Sequence, residues 1–194
     1  MKHAVIAAHP DPESFTMSVA RSYCEAVQAQ GHEPLLRDLY GMDFDPRLKA
    51  SEIAGRKDFG PAPDAEAERA TLKDADVFCF VYPFWINAPP AILKGYIDRI
   101  FGLGFAYGPK GSANQPLLTG KSMISFTSSG APTEWVRETG AWDAERKLFD
   151  RHIAQLSGLD VLDHVHFGGI VPGIRADVVE RHLGEVRAAV AKYF

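Results

Sequence analysis

Three short segments of this chain combine side chains and backbone in ways that could hold a phosphorylated ligand with a flat ring. The first, HPDPESFT at His9 to Thr16, leads from an apolar run into an amphipathic stretch. Helix starts present unpaired N–H donors and a positive dipole, so Ser14, Thr16 and the amides around them can bind a phosphate. Either hydroxyl could equally serve as an ordinary N-cap. The segment has neither GxGxxG nor GxxxxGK glycines, which argues against a standard dinucleotide fold or a P-loop NTPase. The second segment, Pro83 to Ala88, carries Phe84, Trp85, Ile86 and Asn87 in a loop. Such residues are costly to expose, and they would line one face and edge of a ring, cover the core or form a subunit contact. The third, Phe126 to Trp135, places Thr127, Ser128, Ser129 and Gly130 together. Small residues there allow close backbone approach to a ligand, although a Ser-Gly loop is also a common turn.

The elements around these segments decide whether they meet. Asp76 to Val81 is a nearly continuous apolar run, the pattern of a strand buried on both faces of a parallel sheet. After Pro89 and Pro90, apolar residues recur at helical spacing from Ala91 to Phe101, with Lys94, Asp98 and Arg99 on the other side. The same reading gives strands at His3 to Ala8, Glu33 to Asp38, Lys121 to Thr127 and Asp160 to Phe167. It gives helices at Thr16 to Gln30, Asp64 to Lys73, Asp143 to Ser157 and Ala176 to Lys192. Strict alternation of strand and helix calls for an α/β, doubly wound, three-layer domain with right-handed crossovers. Five parallel strands fit the flavodoxin-like order 2-1-3-4-5 over a single domain spanning 1–194. In that order the loops after the first, third and fourth strands converge, and these are the three segments above. A phosphate-ready helix start, an aromatic wall and a small-residue loop at one sheet edge point to a flavin.

Composition narrows the remaining classes. The 194 residues, 46% of them hydrophobic, suit one domain with a substantial core. A net charge of -4 without any basic run argues against a nucleic-acid surface. The short apolar stretch after Met1 ends at His9 and Pro10, and no run approaches the ~18 residues of a membrane span, so a cytoplasmic protein without membrane insertion is expected. Cys24 and Cys79, unpaired by spacing, read as buried thiols. His164 and His166 share a strand face but lack a third ligand at an obvious spacing, so no metal is expected. The irregular stretches Tyr40 to Pro63 and Ala106 to Leu118, the latter with Gly108, Pro109 and Gly111, read as lids or interface segments.

On HPDPESF at 9 to 15, DLYGMDFDP at 38 to 46, YPFWINAPPAILKGYIDRIF at 82 to 101, GFAY at 104 to 107 and LLTGKSMISFTSSG at 117 to 130, the chain resembles the NAD(P)H:quinone oxidoreductase family with the flavodoxin-like fold. This group includes the mammalian quinone reductases and the bacterial modulator-of-drug-activity proteins. The resemblance implies that His9, Ser14, Phe15 and Thr16 embrace the flavin phosphates. It implies that Pro83, Phe84, Trp85, Ile86 and Asn87 contact the ring, with Thr127, Ser128, Ser129 and Gly130 along its pyrimidine edge. FAD is the expected cofactor and FMN the alternative, with NAD(P)H as co-substrate and a quinone or similar acceptor reduced by hydride transfer in ping-pong fashion. A homodimer is implied, with Tyr107 reaching into the partner's site. One departure concerns chemistry: Trp135 and Ala141 stand where the mammalian enzymes have a tyrosine and a histidine that help stabilise charge on the reduced flavin. Indole only donates and alanine does neither, which leaves Trp135 as a substrate-pocket residue.

Two other functions are compatible with the same features. Some relatives are ancillary subunits of potassium efflux systems, and others reduce azo or nitro compounds. A one-electron carrier would require a more acidic surface and no room for a second planar molecule.

Overall fold

A computed structural model describes residues 1–110 and 113–194; Gly111, placed above in a lid or interface segment, lies outside them. Five parallel strands form the central sheet: β1 (Lys2–Ala7), β2 (Glu33–Asp38), β3 (Val77–Pro83), β6 (Ser122–Ser128) and β7 (Asp160–Phe167). Their order is β2-β1-β3-β6-β7, which in these five strands is the expected 2-1-3-4-5. Every residue of β3 is buried, as its continuous apolar run requires at the centre of a sheet covered on both sides.

The alternating side chains of the sheet feed two cores. Val5, Ala7, Cys79, Val81, Ile124 and Phe126 pack with α1 (Phe15–Ala29) and α7 (Ala176–Tyr193). Ile6, Phe78, Phe80, Tyr82 and Met123 face the layer that holds α2 (Pro63–Leu72), α3 (Ala91–Ile100) and the segment 141–157. Burial pushes the Cys24 thiol up to about 11 and the Cys79 thiol well above its ordinary range, so both behave as small apolar side chains.

Three features differ from the sequence reading. Within the Ala106 to Leu118 stretch, β4 (Tyr107–Lys110) and β5 (Ala113–Pro116) pair antiparallel as a separate two-stranded sheet. A short helix, α4 (Thr133–Glu138), follows the third loop. The expected helix Asp143 to Ser157 is three pieces, α5 (Ala141–Glu145), a wide π-helical turn over Arg146–Arg151, and α6 (His152–Ser157). Such turns widen the backbone and displace side chains relative to a regular helix.

The long Tyr40 to Pro63 stretch is pinned to α3. Arg99, fully buried, donates to both carboxylate oxygens of Glu52, to Asp64 and to the Asp45 carbonyl. One turn earlier, Gly95 lies flat against Pro46. The specific part of the PAILKG-x-x-DR pattern therefore fastens a loop to a helix.

Candidate functional site

β1, β3 and β6 are adjacent, so the loops that leave their carboxyl ends meet at one edge of the sheet. The Phe84 amide donates to the Ser128 carbonyl (2.7 Å) and ties the second loop to the third. The Ala8 amide reaches the Val81 carbonyl (3.0 Å) and ties the first to the second. Together they frame a cleft lined by His9, Ser14, Phe15 and Thr16, then Pro83, Phe84 and Trp85, then Ser128, Ser129 and Gly130. Ile170, from the segment after β7, closes the far side and was not singled out from the sequence.

Each wall has a local cause. Ser14 is the N-cap of α1 and accepts the Met17 amide (3.3 Å), while the remaining first-turn amides point along the helix axis toward the cleft end. His9 accepts the Asp11 amide on Nδ1 (3.0 Å), which fixes its ring beside Trp85 at 5.8 Å between centroids. Trp85 and Ala88 exchange backbone bonds of 3.0 and 3.2 Å across a two-residue turn, with Ile86 and Asn87 both at φ 54. That left-handed pair has the φ signs of a type I′ turn, a conformation that a β-branched residue adopts at a cost. It projects Ile86 outward, 99% exposed, and leaves the Ile86 and Asn87 side chains off the cleft wall that Phe84 and Trp85 form.

Thr127 differs from its neighbours Ser128 to Gly130, because its hydroxyl turns into the protein. It lies 2.9 Å from His164 Nε2 and 2.9 Å from His166 Nδ1. His166 Nε2 is 2.9 Å from Ser129 Oγ, and His164 Nδ1 is 2.6 Å from Asp150 Oδ2. The two histidines weighed above as metal ligands thus bracket a hydroxyl on the adjacent strand. Burial first, then the neighbouring His164 and Arg137, lowers the His166 pKa to about 4, so its ring is neutral at physiological pH. Burial raises the Glu145 carboxyl above its usual range, and it accepts the Tyr82 hydroxyl at 2.7 Å beside this group.

The two residues assigned to substrate lie apart from the cleft wall of their own chain. Tyr107 borders a cavity of about 310 Å³ with Ile97, Phe101, Leu148 and Ile153. Trp135 stands on α4, 47% exposed. Among the described residues no helix is long and apolar enough to cross a membrane.

A cleft at the carboxyl edge of a 2-1-3-4-5 sheet defines a flavodoxin-like protein, and the chain belongs to the flavodoxin-like fold family, whose model matches residues 1–191. Among its relatives is an uncharacterized NAD(P)H oxidoreductase of Haemophilus influenzae, 31% identical over 88% of this chain and 85% of that one. The ribosyldihydronicotinamide dehydrogenase [quinone] of Pongo abelii is 30% identical over 72% of this chain and 68% of its own. In three dimensions the chain is similar to the NAD(P)H:quinone oxidoreductase from Methanothermobacter marburgensis, with a TM-score of 0.83, 27% identity, and coverage of 98% and 95%.

Proposed function

We propose that this protein is a flavin-dependent NAD(P)H oxidoreductase that reduces quinones, or similar acceptors such as nitro or azo compounds, by hydride transfer in ping-pong fashion. The observation that carries the reading is the convergence of the three loops on one cleft, whose walls differ in chemistry as the parts of a flavin do. The names of the sequence relatives point to the same donor and acceptor class.

The residues present fit the group. A methyl built at Gly130 would stand 3.8 Å from the Ile170 carbonyl and 3.9 Å from Val171, so the backbone there is open to a ring edge. His9, Ser14, Phe15 and Thr16 hold the phosphate end with amides and hydroxyls. Pro83, Phe84 and Trp85 supply the wall, Ile86 and Asn87 the amides that their turn does not use, and Ser128, Ser129 and Gly130 the pyrimidine edge, with Thr127 acting from behind it. Bound there, a flavin supplies the centre that accepts and returns a hydride, while the protein orients and tunes. FAD is the proposed form, with FMN as the shorter alternative, in a homodimer of the cytoplasm. Tyr107 of one copy and Trp135 then border the acceptor's place at the interface.

Chromatography of the small molecule released on denaturation tests the cofactor. FAD is expected; FMN alone corrects the form, and a chain that neither carries nor takes up either flavin contradicts the function.

A further inference from the structure

We infer that Asp150, His164, Thr127, His166 and Ser129 form a proton-conducting chain that joins a surface crevice to the cleft, and that Ser129 is the residue that hands the proton over. The inference deepens the proposed function and rests on it for the identity of the acceptor.

The chain follows from register. β6 and the residue that follows it place Ser125, Thr127 and Ser129 at alternate positions, and β7 sets His164 opposite Ser125 and His166 opposite Thr127. One hydroxyl therefore sits between two imidazoles. The π-helical turn carries Asp150 over His164, where it also accepts the Ser125 hydroxyl (3.2 Å). Every link from Asp150 Oδ2 to Ser129 Oγ is between 2.6 and 2.9 Å. Along it Thr127 and His164 are buried and His166 is half-buried, and the Trp142 and Phe84 rings cover the two imidazoles at 4.7 and 4.8 Å. Its ends are wet. Asp150 lines a surface crevice of about 290 Å³ with Arg146, Lys147 and Arg151, and Ser129 lines the cleft.

The donor count gives this chain two polarities that differ by one proton. With the extra proton, His164 is protonated on both nitrogens, donating to Asp150 and Thr127. Thr127 then donates to His166 Nδ1, His166 Nε2 donates to Ser129, and the Ser129 hydroxyl points away, as it does here toward the Ala131 carbonyl at 2.8 Å. Without it, Asp150 still accepts from His164 Nδ1, but Thr127 donates to His164, His166 Nδ1 donates to Thr127, and Ser129 donates to His166. Passing from the first to the second moves one proton off Ser129, while each atom behind takes one from its neighbour. His164 ends neutral, and a proton from the crevice restores it.

Reducing a quinone to a hydroquinone takes two electrons and two protons. A hydride brings both electrons and one proton, so the quinone oxygen needs one more, and Ser129, whose backbone borders the ring edge, supplies it from its hydroxyl at the cleft. The neutral His166 suits a relay, since it passes protons without holding charge. Besides Asp150, the charged or titratable groups that face the imidazoles are Arg137 from α4, Glu145 from α5 and Tyr82 from β3. Trp135 and Ala141 offer no titrating group, so β6 and β7 provide what α4 and α5 do not.

The test is a histidine 15N titration of the full-length protein as purified, with kinetics on the same samples. In the wild type, the loss of the His164 Nε2 proton and the switch of His166 from Nε2–H to Nδ1–H are expected to share one midpoint. Thr127→Val should uncouple them, and Thr127→Ser, which restores the hydroxyl, should recouple them. In Thr127→Val that retains its flavin, kcat with a quinone should fall by about 10²-fold at an unchanged acceptor KM, with a displaced pH profile. Independent titration of the two rings in the wild type, or a folded Thr127→Val with wild-type kcat and pH profile, overturns the chain. A chain that binds no flavin but titrates in concert leaves the relay standing and removes the proposed function instead.

Discussion

A side chain at Gly95 would enter Pro46: a methyl built there would stand 2.5 Å from the Pro46 Cβ and nearer still to its carbonyl oxygen. The glycine is required by close approach of the Tyr40 to Pro63 stretch to α3. Replacing Gly95 with Ala should destabilise the protein by about 1 to 3 kcal/mol, as overpacking does. Urea unfolding measures this, and an unchanged midpoint would show that the loop can lift off α3 freely.

The exposed Ile86 makes the opposite prediction. A left-handed φ costs a non-glycine residue roughly 1 to 2 kcal/mol, part of which glycine returns as lost chain entropy. With its side chain in solvent, Ile86→Gly should raise stability by up to about 1 kcal/mol. A fall in stability would mean that a second copy or a neighbouring loop covers this side chain in solution.

Acid should weaken the fold through His3 and His166. His3 is fully buried, accepts or donates to the Tyr23 hydroxyl at 2.9 Å, and leaves Nε2 without a partner. Burial, with His32 and the amino terminus, lowers its pKa from 6.5 to about 4, the level to which His166 also falls. Between those values the unfolded chain binds more protons than the folded one, so stability is full above the unfolded pKa and declines as pH falls toward 4. His3→Gln should make that decline shallower; an identical slope in wild type and variant would show that His3 does not contribute to it.

At Gly130 the fold has room where the ligand should be. Since a Cβ there meets only ordinary contacts, Gly130→Leu should fold with near wild-type stability and lose flavin. Full flavin occupancy in a folded Gly130→Leu would remove this loop from the ring site.

Much of this architecture was legible because apolar runs report burial directly. β3, Val77–Pro83, reads as a central strand from Asp76 to Val81, and α3 from its apolar spacing after Pro90. The β4–β5 pair was not legible, because Gly108, Pro109, Asn114 and Pro116 carry no alternation of apolar and polar residues. Six residues of α4 are too few to show a helical period, and the π-helical turn leaves the apolar spacing of its segment nearly intact. The cleft residues of the first and third loops were readable as chemistry at strand ends. His164 and His166 were readable only as a pair on one face. That Thr127 falls between them depends on the β6–β7 register, shifted between Met123 and Ile124, and strand register has no signature within either strand.

The most direct test of the central claim is the visible absorption of the purified protein during anaerobic addition of NADH or NADPH, followed by a quinone. An oxidised flavin spectrum is expected that bleaches with one equivalent of donor and returns in full with one equivalent of quinone. A flavin that bleaches but is not reoxidised by quinones, or nitro or azo compounds, would contradict the proposed acceptor, and a flavin that neither nicotinamide bleaches would contradict the oxidoreductase itself.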